Sequence, residues 1–158
     1  MRKVLLVAVI AALSGCATAA ENLAENAIEN AIENDLGGDA SVSVDDDSIQ
    51  ITSDDGSIAM GEGADLPEGF PLPVPDGGTV FYSATDASAM VVMLEYPASM
   101  LEELIETYED YFAGKDDVQK VEMSNPTMYI WNTSDGKESV TVADNDDGTI
   151  QVQMVSSS

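Results

Sequence analysis

Histidine is absent, cysteine occurs once, and only five lysines and arginines stand against 30 aspartates and glutamates in 158 residues. Each shortage excludes something. Without histidine, the commonest general base and metal ligand is missing. A lone cysteine, Cys16, makes no internal disulfide. A net charge of −25 repels phosphate backbones and argues against a nucleic-acid partner. It equally repels anionic lipid headgroups. Long hydrophobic runs are scarce too. Val4 to Leu13 is apolar, but about ten residues are too few for a membrane-crossing helix, which needs about 20.

What is present begins with that run. Arg2-Lys3 precedes it and Leu13-Ser14-Gly15-Cys16 closes it. A basic start, a short apolar stretch and small residues before a cut are the layout of a secretory signal. The closing four residues resemble the lipobox of bacterial lipoproteins. The resemblance implies cleavage before Cys16, two acyl chains as a diacylglyceryl group on the cysteine and another chain on the new amino terminus. At about 0.8 kcal/mol per buried methylene, such an anchor is effectively permanent. Ala17, where an inner-membrane lipoprotein tends to carry Asp, implies sorting to the outer membrane if the cell is Gram-negative. Loss of residues 1–15 leaves Lys115, Lys120 and Lys137 as the only basic residues. The expected placement is a chain exported to the cell envelope and held to a membrane through lipid at Cys16.

Residues 16–38 read as a lipidated tether. Glu21 to Leu36 repeats with a four-residue period, ENLA-ENAI-ENAI-ENDL, which stacks Ala24, Ile28, Ile32 and Leu36 as one helical stripe. Thr18 and Glu21 are spaced as a capping box, and Gly37-Gly38 stops the helix. Glu21, Glu25, Glu29 and Glu33 share a helix face and repel one another. The stripe therefore wants an apolar support: the C-terminal domain, another copy or the bilayer interface. A spacer helix ranks first and self-association second.

Residues 39–60 repeat at a nine-residue offset. Val42/Val44, Ile49/Ile51 and Ile58/Met60 alternate with polar residues between Asp-rich turns, predicting a short β-meander. Asp45-Asp46-Asp47 and Asp54-Asp55-Gly56 lack the spaced ligands and distal glutamate of a calcium loop, so turn chemistry explains them better. Residues 61–78 read as a linker. Pro67, Pro71, Pro73 and Pro75 keep it extended, leaving Phe70, Leu72 and Val74 free to pack along the next domain.

Residues 79–156 carry the pattern of a compact α+β domain. Val80-Phe81-Tyr82 and Ala89 to Tyr96 predict two strands; the second, apolar from Met90 to Leu94, is expected to be central and buried on both faces. Ser99 and Glu102 have capping-box spacing before a helix whose apolar side carries Leu104, Tyr108 and Phe112. Strands are expected at Val118 to Met123, Met128 to Thr133, Ser139 to Ala143 and Thr149 to Val155, with Asp-Gly hairpin signals between the later ones. Asp144, Asp146 and Gly148 resemble the start of a calcium loop, but the glycine comes one position early. The expected fold is ββα then a β-meander: a small antiparallel sheet with one amphipathic helix on one face, preceded by the tether helix and the short meander. This order resembles secreted bacterial lipoproteins of uncharacterised activity, and the resemblance implies no particular chemistry.

No catalytic constellation stands out, and no cofactor or metal site is expected. Without histidine, nucleophilic chemistry would need a Ser-Lys or carboxylate pair. Lys137 sits in a turn beside Glu138, Lys120 sits mid-strand on the polar face, and acids are too abundant for any pair to be distinctive. The better candidate is a binding surface. A helix covers one sheet face, so some of Tyr82, Tyr96, Tyr129 and Trp131 are expected on or near the other. Tyr129 and Trp131 share a face by alternation, where they would stack on a glycan or accept a peptide. The competing reading makes them core against the helix. The expected function is a non-enzymatic envelope lipoprotein presenting a small acidic domain to a protein or glycan. Its alternatives are an acidic cation-binding surface protein and, behind that, a carboxylate-dependent hydrolase.

Overall fold

The computed structural model describes residues 41–45, 48–62 and 64–158. The signal, Cys16 and the repeat at 21–36 lie outside the described residues.

Nine strands form one antiparallel sheet. β1 (Ser41–Asp45), β2 (Ser48–Ser53), β3 (Gly56–Gly61), β4 (Thr79–Asp86) and β5 (Ala89–Pro97) lie side by side in chain order. The chain then passes through a 3-10 turn (Ala98–Met100) and helix α1 (Leu101–Ala113) to the far edge, where it re-enters as β6 (Val118–Ser124). β7 (Thr127–Thr133), β8 (Glu138–Asp144) and β9 (Thr149–Ser157) step back inward until β9 pairs along the whole of β5. Thirteen helical residues reach about 20 Å, close to the four interstrand steps, about 19 Å, between β5 and β6.

The expected α+β arrangement is therefore corrected. The molecule is mostly sheet, and α1 is the one α-helix among the described residues. The strands at 41–61 do not form a meander of their own, because β3 pairs with β4, setting Ile58 opposite Ala84 and Met60 opposite Tyr82. The physical reason is the bare edge of β4. A strand edge carries unmet backbone donors and acceptors, and β3 has the matching alternation to cover it.

α1 packs on one face of the sheet. Beneath it lie Val92, Leu94 and Tyr96 of β5, Val152 and Met154 of β9, and Trp131 of β7, all buried. From the helix come Leu104, Tyr108 and Phe112, spaced i, i+4, i+8 on one stripe. The helix starts differently from the capping-box expectation. Its N-cap is Met100, which makes no side-chain cap bond, and Ser99 belongs to the preceding 3-10 turn. Glu102 and Glu103 occupy the first turn, where carboxylates meet the positive end of the helix dipole.

The Pro-rich stretch joins this core. Leu72 is buried, Phe70 and Val74 pack beside it, and the Tyr96 hydroxyl donates to the Pro75 carbonyl at 2.9 Å. β5 itself is central, as expected, but it is not buried on both faces. Val92 and Leu94 are buried, whereas Val91 and Met93 are only partly so, and the core cluster takes no strand side chain from their side.

Candidate functional site

The aromatic residues do not form one surface. On the helix-covered face, register places Lys120, Trp131, Val140, Met154 and Val92 in one row across five strands. Trp131 is 2 % exposed. Its ring stacks on Phe112 at 6.5 Å and Tyr129 at 6.1 Å, and meets Tyr108 at 6.0 Å. Tyr96 is 1 % exposed on the same face. Only Tyr82 lies on the opposite face, opposite Met60 and Met93. The binding surface expected from Tyr82, Tyr96, Tyr129 and Trp131 is thus corrected. The reason is α1 itself, whose Tyr108 and Phe112 rings pack against Trp131 and make the face beneath the helix the core.

Burial tells on the phenols. Tyr96 is pushed up to about 12 by desolvation, with nearby Asp76 adding to it. Burial likewise drives the Tyr108 phenol above its ordinary range, and its hydroxyl meets the Met154 sulfur at 3.4 Å. Both stay protonated near neutrality, so neither supplies a phenolate base.

Two of the lysines are likewise committed. Lys120 lies on the helix-covered face, not on a polar one. Its ammonium sits 5.7 Å from the Trp131 ring centre and 5.9 Å from that of Tyr129 and pairs with Glu109 of α1. Lys115 pairs with Glu138 and lies 4.4 Å above the Tyr111 ring. Hydrogen bonds to Glu138 and Glu109 hold Lys115 and Lys120, respectively, above the usual lysine range. A lysine acting as general base must lose its proton near neutrality; these two are biased the other way. Beside Lys115, a shallow cleft of about 290 Å³ is lined by Asp116, Asp117, Asp135, Lys137 and Glu138 together with Thr133 and Ser134. It is polar and open, and it brings no activated nucleophile beside a base.

The acidic loops are turns. Asp86 accepts bonds from the Ser88 amide and hydroxyl and from the Ala89 amide, at 2.6, 2.7 and 2.8 Å. Asp147 accepts from the Thr149 amide and hydroxyl, and Asp144 from the Asp146 amide. The Ser88 hydroxyl lowers the Asp86 carboxyl below its usual range, and the Thr149 hydroxyl does the same for Asp147. Among the described residues, no three acids converge as a metal-binding group.

The feature that sequence reasoning missed is the other face. One row runs from Val42 through Ile51, Ile58, Ala84 and Val91 to Val155. It continues through Ser139 and Asn132 to Gln119. The next row takes Val44, Ile49, Met60, Tyr82 and Met93, then Gln153, Thr141, Ile130 and Val121. Neither row contains an acid or a base, in a chain with 30 acids. The apolar residues are partly exposed, and Val121 is 46 % exposed. The signal was present in the alternation of β1, β2 and β3. What was missing was the register that aligns it with Tyr82, Val91 and Met93.

No family model, curated protein or solved structure matches this chain. Among the described residues, no helix is long and apolar enough to cross a membrane.

Proposed function

We propose that this protein is a lipoprotein of the bacterial cell envelope, anchored through lipid at Cys16, and that it works by contact rather than catalysis. Leu13-Ser14-Gly15-Cys16 behind a basic start and a short apolar run is the observation that carries the anchor. The sheet module then faces outward from the membrane, and in a Gram-negative cell that membrane is the outer one. Contact is favoured because two rows of the open face carry no charge and are apolar from β1 to β5, whereas the polar cleft offers no reactive pair. Depletion of charge is what distinguishes the core of a protein interface. A protein partner fits this face better than a glycan, since Tyr82 is the one aromatic ring in its two rows.

Mass spectrometry of material purified from the native membrane tests the anchor. The amino-terminal peptide is expected to begin at Cys16 and to carry the mass of a diacylglyceryl group and an amide-linked acyl chain. Cys16→Ala should move the protein out of the lipid-modified membrane fraction. An unmodified thiol at Cys16, or an amino terminus at Met1, overturns the reading.

A further inference from the structure

We infer that the open face of the sheet is a self-association surface, occupied by the same face of a second copy of this chain. The inference deepens the contact reading by naming the partner, and it does not depend on the lipid. The first observation is β5. Its run Met90 to Leu94 has the apolar character of a strand buried on both sides, yet α1 covers only the Val92–Leu94 side. Val91 and Met93 are thus built for a cover that the described residues do not supply. The second observation is charge. Acids occupy the exposed positions of α1 and the hairpin turns, while two rows spanning all nine strands have none.

That neutrality selects the partner. A basic protein would be met by carboxylates, and the two apolar rows present none; Asp86 and Glu95 share this face but flank those rows. A bilayer surface would favour lysine or arginine at its border, whereas Asp86 and Glu95 stand at the strand ends here. Another copy offers the same neutral rows. A two-fold axis through the face makes one patch complementary to itself. It also brings two chains of net charge −25 together along two rows where neither carries charge. Sheets stack about 10 Å apart, with strands within about 30° of each other.

Size sets the strength. Six consecutive apolar strand positions in the first row and five in the second, at about 4.8 Å per strand, give a block about 24–29 Å wide. Two rows make it about 13 Å deep, and the neutral polar continuation widens it to about 43 Å. The flat footprint is then roughly 560 Å², below the roughly 800 Å² per partner of a standard stable interface. The pair is therefore reversible, and confinement to one membrane raises its population through effective concentration.

Single-cysteine scanning in the full chain tests this in the native envelope. Ile58→Cys, Ala84→Cys and Met93→Cys place thiols on the open face; Ser43→Cys, Gln50→Cys and Thr52→Cys place them on the other face of the same sheet. Under a mild oxidant, the open-face set should give disulfide-linked dimers at a yield about tenfold above the control set. Adding Val91→Lys should return that yield to the control level, with Trp131 emission unchanged to show that the fold persists. Raising sodium chloride should increase the yield, because it screens the repulsion between the two acidic chains. Equal yields from the two faces overturn the inference, as does an open-face set that never exceeds its controls or an open-face yield indifferent to Val91→Lys. The parent chain, whose only cysteine is Cys16, reports separately on the anchor. Dimers from the parent would mean a free thiol there, and open-face dimers assembled without lipid would sink the anchor while leaving this surface standing.

Discussion

At the scale of single residues, the tightest constraint is the approach of Gly78 to Tyr96. A Cβ at position 78 would come within 2.4 Å of the Tyr96 ring. The ring has nowhere to go, since it is buried and its hydroxyl is held by the Pro75 carbonyl. Gly78→Ala should therefore cost about 1–3 kcal/mol through overpacking, seen as a lower urea midpoint at unchanged slope. Tyr96 makes a second prediction, set by pH. Its phenol ionises near its ordinary value of 10.0 once unfolded, but at about 12 in the fold. The folded state then holds the proton more tightly, so its contribution is complete below pH 10 and is lost as pH rises toward 12. Urea midpoints taken from pH 9 to 12 should fall across that window, and Tyr96→Phe should flatten the fall. The phenylalanine should itself cost about 1 kcal/mol at neutral pH, the worth of the lost hydrogen bond. A fall of equal steepness in Tyr96→Phe would remove the assignment. Gly78 carried no such signal in the sequence, because a glycine in a Gly-Gly pair reads as linker until its neighbour across the sheet is known.

At the scale of elements, the helix shows both what was legible and what was not. The spacing of Leu104, Tyr108 and Phe112 disclosed the stripe that packs on the sheet. The start was not legible, because Ser99 and Glu102 have the spacing of a reciprocal cap while the chain leaving Pro97 first tightens into a 3-10 turn. The Ala98 amide is bonded to the Gly148 carbonyl at 2.9 Å, which fixes the entry angle from outside the helix. Ser99→Ala should consequently change stability by less than about 0.5 kcal/mol, against about 1 kcal/mol for a working cap. Leu104→Ala, in contrast, should cost about 2–5 kcal/mol, because it removes a fully buried side chain at the centre of the stripe. A loss of about 1 kcal/mol from Ser99→Ala, measured by chemical denaturation, would show that the cap forms in solution after all. The strands divide in the same way. Hairpin turns and alternation were readable residue by residue, since Asp, Asn and Gly carry local turn chemistry. Neither the pairing of β3 with β4 nor the return of β9 to β5 is local, and no short-range pattern encodes them.

At the scale of the whole molecule, joining all nine strands has two consequences. The first is that one face inherits the alternation of β1 to β3 and the spare side of β5. Its apolar block is therefore spread through the sequence as unrelated short strands, whereas Trp131 and Tyr129 are conspicuous in the sequence and belong to the core. The second concerns charge. Among the described residues, two ion pairs, Lys115–Glu138 and Lys120–Glu109, are formed, so most of the acids there repel one another across the surface. Compaction of such a chain is opposed by its own field, and dissolved salt weakens that field over a Debye length of about 10 Å at 0.1 M. Raising sodium chloride from about 10 mM to about 500 mM should therefore raise the melting temperature by about 5 °C, the shift of roughly 1 kcal/mol in a molecule this small. Calcium chloride at matched ionic strength decides what kind of effect this is. Asp86, Asp144 and Asp147 spend carboxylate oxygens on their own turns, which leaves screening as the expected cause and similar melting curves in the two salts. A saturable, stoichiometric rise with micromolar calcium, unmatched by sodium, would instead make cation binding the property that these acids serve.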